Sequence, residues 1–225
     1  MNEETVLLQG IVGSTAYGLA TEDSDVDLLG VFAAPTRAIL GLDPPNPSRV
    51  TKDPDMTMHE VGKYVRLALK CNPTVMELMW LPDDLYKIRT EQGDQLIRIR
   101  EAFLSSGYVN NAYFGYAVQQ FMMLQKRGNG TFSPDLAKRT EKHARHMYRL
   151  MHQGLQLWKE GHLTIRVADP EACHAFGKRV ADGDIAFARD TLDNFRHLFT
   201  TVRTVLPTAP DHQVAEEWLF QVRGV

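Results

Sequence analysis

The amino-acid sequence predicts an α+β protein, in which a small β-sheet half is followed by a mostly helical carboxyl-terminal region. Two segments rich in apolar and β-branched residues lie within residues 1–32, and such short runs favour buried strands. From Asp94 onward, apolar residues recur almost throughout at the spacing of helices. The chain has 225 residues, enough for a sizeable core with a helical appendage. We therefore expect a core domain over residues 1–106 and a helical region over residues 107–225.

Strands and helices alternate in the amino-terminal half. The first predicted strand, Thr5–Val12, runs directly into Gly13 and Ser14, which suit a turn and the start of a helix. Pro73 suits the first turn of a helix, and with Asn72 it separates two predicted helices. The other predicted elements are a helix over 15–20, a turn over 21–24, strands over 25–32 and 55–59, a loop over 40–52, and helices over 60–70 and 73–80.

Helices dominate the carboxyl-terminal half. The dipeptides of Gly128–Gly130 predict a break between two of them. One late segment, Leu163–Val167, is predicted as a strand because it is apolar and β-branched. The predicted helices cover residues 95–104, 108–126, 134–160, 185–204 and 212–222.

Composition excludes several classes of protein. The chain carries 25 basic and 28 acidic residues, a formal net charge of −3, so any contact with nucleic acid must come from a local patch. Two cysteines, Cys71 and Cys173, do not make a disulfide framework. The acidic start lacks the features of a signal peptide, and no apolar run approaches the roughly 18 residues that span a bilayer. We expect a soluble, cytoplasmic protein without a membrane partner; its oligomeric state is not indicated.

The segment from Gly13 to Asp27 carries the chemistry. Glycine lets a ligand approach the backbone closely, and free N–H groups in a first helical turn attract an anion such as phosphate. The Ser14 hydroxyl adds a further donor, so we expect Gly13 and Ser14 to bind phosphate. The segment is not a Walker A loop, because no Gly-Lys-Ser/Thr follows at the required spacing.

Asp25 and Asp27 form the second half of this segment. Two residues apart on a predicted strand, their side chains point to the same face and repel each other without a counter-charge. Mg²⁺ is the natural counter-ion, because it prefers carboxylate oxygens together with substrate phosphates. An EF-hand is excluded, because its sixth and twelfth positions require Gly and Glu, whereas Leu28 and Ala34 stand there. A phosphate cradle before a carboxylate pair predicts nucleoside triphosphate chemistry.

Residues 13–32 resemble the signature of the DNA polymerase β-type nucleotidyltransferase superfamily, Gly-Ser followed by Asp-x-Asp. The Ala-Tyr-Gly-Leu-Ala-Thr form at residues 16–21 is most similar to the RNA-ligase-associated, RNA-repair branch. The resemblance continues through residues 59–64, 70–78 and 142–150, and it covers roughly residues 8 to 160.

The resemblance implies a mixed sheet flanked by helices, with a third carboxylate on a neighbouring strand. By position this is Asp55, with Asp53 and Glu60 as rivals. Asp25, Asp27 and Asp55 would then hold Mg²⁺ or Mn²⁺, as two ions, and the helical region would form a wall of the active-site cleft. The implied reaction transfers NMP from an NTP to a hydroxyl at an RNA or tRNA 3′ end. Nucleotidylation of a protein or small molecule, and a non-catalytic nucleotide-binding or antitoxin-like module, remain alternatives.

Three further residues are candidates for binding the NTP phosphates. Lys63 lies in the first turn of a predicted helix beside the site, where solvated surface is the alternative. His146 and Arg149 lie three apart on the long helix, and charge-assisted bonds to phosphate favour arginine. Together with His143 they form a basic face, for which a solvated surface is again the alternative. A zinc site at His143 and His146 lacks further obvious ligands.

Overall fold

The computed structural model describes residues 4–22, 24–127 and 134–225. The chain divides into two compact units: one contains Met1–Ser105 and Ala209–Val225, and the other contains Ser106–Thr208. The predicted α+β class with a helical carboxyl-terminal region is confirmed. The residues from Ala209 onward, which the sequence assigns to the helical region, belong to the unit that holds the sheet.

The first unit is built on a five-stranded mixed sheet with the strand order β3-β4-β2-β1-β5. Only the pair β2 and β4 is parallel; the other neighbours are antiparallel. The strands are β1 (Thr5–Val12), β2 (Asp27–Ala33), β3 (Ser48–Lys52), β4 (Asp55–Glu60) and β5 (Tyr86–Arg89).

Both strands that the sequence missed are edge strands. β3 lies in the segment predicted as a loop, and four of its five residues are exposed. β5 has four residues, of which three are exposed. An edge strand buries little, so β3 shows no apolar alternation, whereas β5 alternates apolar and polar residues but over only four positions, a short signal. The predicted loop is therefore wrong over Ser48–Lys52.

Most predicted helices are present with small shifts at their ends. The long predicted helix 134–160 is confirmed with these bounds, whereas the predicted break at 128–130 lies outside the described residues. The helices are α1 (Gly13–Tyr17), α2 (Thr36–Ile39), α3 (Val61–Ala68), α4 (Pro73–Met79), α5 (Glu91–Arg98), α6 (Ser106–Val109), α7 (Gly115–Arg127), α8 (Pro134–Glu160), α9 (Pro170–Ala181), α10 (Ile185–Thr201) and α11 (His212–Arg223), with a π-helical segment Asn110–Phe114 between α6 and α7 and 3₁₀ turns at Asp83–Leu85 and Arg100–Phe103.

The predicted strand at 163–167 is wrong, because side chains of α8 satisfy its backbone. Gln153 donates to the carbonyls of Thr164 and Ile165, and the Thr164 N–H donates to Gln156. The missed helix α9 begins directly after these residues. The residues at its start are typical of a helix N-terminus: Asp169 accepts from the Ala172 N–H as the N-cap, and Pro170 occupies the first turn.

Buried apolar side chains hold each unit together. In the first unit, Leu8 and Val31 lie side by side on β1 and β2 and are fully buried beneath the helices. In the second unit, α8 contributes Met147, Leu150 and Met151, which are also fully buried. Among the helices that the structure describes, none has the length and apolar character to cross a membrane.

Candidate functional site

Asp27 and Asp55 begin two neighbouring parallel strands of the sheet. The register pairs Leu28 with Met56, and one step earlier it aligns Asp27 with Asp55. Neighbouring strands lie about 4.8 Å apart, and residues aligned across them point to the same face. The two carboxylates are therefore fixed side by side at one end of the sheet.

Asp25 does not lie on this strand, and the prediction that it shares a strand with Asp27 is wrong. The ladder between β1 and β2 ends at Val12 and Asp27, because the chain leaves β1 for α1 at Gly13. Residues before Asp27 therefore have no partner on β1. Asp25 is exposed and lies in an irregular segment after the turn in which the Ser24 N–H donates to the Thr21 carbonyl.

Gly13 packs directly against the carboxylate of Asp27. Its φ of +69° is one that L side chains rarely adopt, and a Cβ placed there would lie 2.0 Å from Asp27 Oδ2. The turn that starts α1 therefore touches the first carboxylate of the strand next to it. Tyr17, on the last turn of α1, donates to the buried carboxylate of Glu77 in α4 and so anchors this turn to the core.

Gly13→Ala is expected to destabilise the protein more than Gly18→Ala. Both glycines have a positive φ, +69° and +71°, so each substitution costs about 1–2 kcal/mol of backbone strain. Only Gly13 meets a neighbour, since a Cβ at Gly18 would have nothing within 4 Å. Thermal unfolding of the two variants measures the difference, and equal losses would contradict the contact with Asp27.

The two rivals of Asp55 lie elsewhere. Asp53 is exposed in the turn that joins β3 to β4. Glu60 is five residues further along β4, so its side chain points to the opposite face of the sheet. It is buried, accepts from the Gly62 N–H at 2.8 Å and forms an ion pair with Arg223 at 2.6 Å. The register thus favours Asp55 as the partner of Asp27.

Lys63 is not brought together with the aspartates. Its ammonium donates to Ser48 Oγ at 2.6 Å, and Ser48 pairs with His59 across β3 and β4. His59 is four residues beyond Asp55 on β4, which corresponds to about 13 Å along the strand. Lys63 therefore lies toward the other end of β4.

His146 and Arg149 belong to the second unit, on α8. Arg149 is buried and donates to Gln153 Oε1 at 2.5 Å and to His146 Nδ1 at 3.0 Å. Burial, reinforced by the charge of Arg149, lowers the pKa of His146 to about 3, so its imidazole is neutral at physiological pH. Both of these contacts lie within α8, and binding of NTP phosphates by His146 and Arg149 stays a prediction.

The paired carboxylates fit a hard divalent cation. Asp27 and Asp55 supply oxygen ligands from adjacent strands, and like charges at this spacing require a counter-charge. Within the residues described, no three His, Cys, Asp or Glu side chains are close enough together to hold a metal ion. Asp25 would have to supply the third carboxylate from its irregular segment.

Lys52, which the sequence patterns did not single out, lies opposite Asp55 on β3.

The chain matches the sequence model of a known protein family. The sequence model of a family described as RlaP, the RNA repair pathway DNA polymerase beta family, matches residues 1–171. The matched range contains the turn at Gly13, Asp25, Asp27 and Asp55, and all five strands of the sheet. No curated protein matches the chain. The match agrees with the resemblance carried by residues 13–32, and that expectation is confirmed.

Proposed function

Because the chain belongs to the RNA repair pathway DNA polymerase beta family, we propose that it is a metal-dependent nucleotidyltransferase acting on an RNA 3′ end. It would transfer NMP from an NTP to a hydroxyl of RNA, with a damaged or processed tRNA as the first candidate. The observation that supports this most directly is the alignment of Asp27 with Asp55, together with the contact between Gly13 and Asp27.

Each residue has a defined part in the proposed reaction. The acceptor oxygen attacks the α-phosphorus, a new O–P bond forms, the bond from the α-phosphorus to the bridging oxygen breaks, and pyrophosphate leaves. Asp55 accepts the proton of the acceptor hydroxyl. Gly13 and Ser14 bind the β- and γ-phosphates beside Asp27. The sheet order places this turn, on β1, and Asp55, on β4, on opposite sides of β2.

The metal site would consist of Asp25, Asp27 and Asp55. Mg²⁺ or Mn²⁺, as two ions, would supply positive charge to the phosphates and to the attacking and leaving oxygens. The carboxylates would hold that charge in a fixed position, so that little reorganisation would accompany the reaction. Orientation of the acceptor and the α-phosphate supplies the remaining rate enhancement.

The test is a transfer assay with α-labelled NTPs. The protein is incubated with Mg²⁺ or Mn²⁺, with each NTP in turn, and with a panel of RNA 3′ ends. A double variant, Asp27→Asn with Asp55→Asn, is run alongside as the inactive control. Label on RNA that requires the native protein is the expected result, and it identifies the preferred base.

Three other outcomes overturn the proposal in different ways. Label that appears on the protein itself would make protein nucleotidylation the activity. Absence of transfer to any acceptor, with NTP binding that survives in the double variant, would leave a non-catalytic nucleotide-binding module. Equal transfer by the native protein and the double variant would show that the activity does not use this site.

A further inference from the structure

An exposed strip of the sheet runs along β3 and β4 away from Asp55. Residues that face each other across an antiparallel pair share one face of the sheet. Val50 at the middle of the strip is 70% exposed, so no helix covers it. The strip consists of the pairs Lys52 with Asp55, Val50 with Thr57, and Ser48 with His59.

The far end of the strip is a cluster of hydrogen-bond donors. Lys63 Nζ lies 2.6 Å from Ser48 Oγ, and Ser48 Oγ lies 2.7 Å from His59 Nδ1. Burial and the charge of Lys63 lower the pKa of His59, so the imidazole is neutral. Because the Lys63 ammonium donates to Ser48 Oγ, the Ser48 hydroxyl proton is available to His59 Nδ1, and in that tautomer the His59 Nε2–H and the remaining ammonium protons are free to donate to a ligand.

The positive charge of this cluster has no carboxylate partner among the described residues. No carboxylate of the described residues lies within 4.0 Å of the Lys63 ammonium as an ion-pair partner. Glu60, the acidic residue nearest to it in sequence, points to the opposite face and is paired with Arg223. A half-buried ammonium held by a serine and beside a histidine matches the chemistry of a phosphate site.

The position of the cluster favours contact with the acceptor rather than with the NTP. The turn at Gly13 lies on the β1 side of Asp27, whereas the strip lies on the β4 side, where Asp55 would receive the acceptor proton. The cluster is about 13 Å from Asp55 along the strand. That distance is within the span of a short oligonucleotide whose 3′ end lies at Asp55.

We propose that Ser48, His59 and Lys63 bind a backbone phosphate of the acceptor, a single-stranded polynucleotide that runs along β3 and β4 with its 3′ end at Asp55. This proposal rests on the proposed transfer to RNA. It reassigns Lys63 from the NTP phosphates, its predicted ligand, to the acceptor. Lys52, beside Asp55, adds positive charge near the end of the bound strand.

The proposal is tested by binding of a labelled single-stranded oligoribonucleotide, measured by fluorescence anisotropy over a range of salt concentrations in EDTA. Lys63→Gln is expected to lower the affinity roughly tenfold, because one charge-assisted bond is lost. The slope of log affinity against log salt should fall in magnitude by about 0.7. Lys63→Arg, which keeps the charge, should retain most of the affinity.

Lys87→Gln is the matched control, because Lys87 is an exposed lysine on β5, at the opposite edge of the sheet. It should bind the oligonucleotide like the native protein. Unchanged affinity and slope in Lys63→Gln, or an equal loss in Lys87→Gln, would overturn the proposal. Native protein that does not bind the oligonucleotide would overturn it as well.

Failure of RNA binding at the cluster of Ser48, His59 and Lys63, called the phosphate subsite below, and failure of the catalytic proposal give different results. If the native protein transfers NMP to RNA but Lys63→Gln binds RNA normally, the subsite is wrong and the catalytic site stands. If Lys63→Gln loses affinity but no RNA is ever labelled, the subsite stands and the catalytic proposal is wrong. The Asp27→Asn and Asp55→Asn double variant should bind RNA at least as well as the native protein, since it loses negative charge.

Discussion

Replacement of either Asp27 or Asp55 by asparagine is expected to lower the rate of nucleotidyl transfer by roughly 10³-fold or more. The metal charge that these carboxylates would hold contributes several kcal/mol to the transition state, and each 1.36 kcal/mol is a factor of ten. Asparagine keeps the size of the side chain but removes the charge. The measurement is the initial rate of label transfer from an NTP to an RNA 3′ end at saturating Mg²⁺.

Asp53→Asn is the matched control for this pair of variants. Asp53 is an exposed aspartate two residues before Asp55, but it lies in the turn between β3 and β4. It should therefore retain native activity. Loss of activity in Asp53→Asn with retention in Asp55→Asn would show that the third carboxylate is Asp53, and that the register of β2 and β4 does not determine the site.

The fold could be predicted from the sequence wherever burial leaves a pattern. β1 and α8 have the predicted bounds, because a buried strand is rich in apolar and β-branched residues and a long helix repeats its apolar face many times. The edge strands β3 and β5 are short and most of their residues face water, so β3 leaves no such pattern and β5 leaves only a four-residue alternation. α9 was missed although Asp169 and Pro170 mark its start, so there the signal was present in the sequence.

The candidate site likewise has features that could be predicted from the sequence and features that could not. Gly13 and Asp27 are visible in the sequence, because a turn after a strand and a carboxylate on the next strand are local features. The start of β2 is not local: it depends on where β1 ends, which is why Asp25 falls outside the strand. The alignment of Asp27 with Asp55 requires a parallel register between strands that are distant in sequence. The position of Lys63 follows from its contact with Ser48, which lies on an unpredicted strand.

The least predictable feature of the first unit is the ion pair between Glu60 and Arg223. Glu60 caps α3 at the end of β4, and Arg223 lies in the last turn of α11, at the far end of the chain. The side chains are only 5% and 11% exposed. Arg223 also donates to the Ala34 carbonyl at 3.2 Å, and its own carbonyl accepts from Thr36 at 2.7 Å. These contacts attach α11 to the sheet.

Arg223→Met is expected to lower the free energy of unfolding by about 3–5 kcal/mol, because it leaves the carboxylate of Glu60 buried without its partner. Unfolding in urea measures the loss, and Gln221→Ala, an exposed neighbour on α11, should stay within about 0.5 kcal/mol of the native protein. Adding Glu60→Gln to Arg223→Met should recover part of the loss, since a neutral amide can still accept from the Gly62 N–H. If Arg223→Met were as stable as Gln221→Ala, α11 would not depend on this pair. A loss that the second substitution does not reduce would instead assign the effect to the packing of the Arg223 side chain.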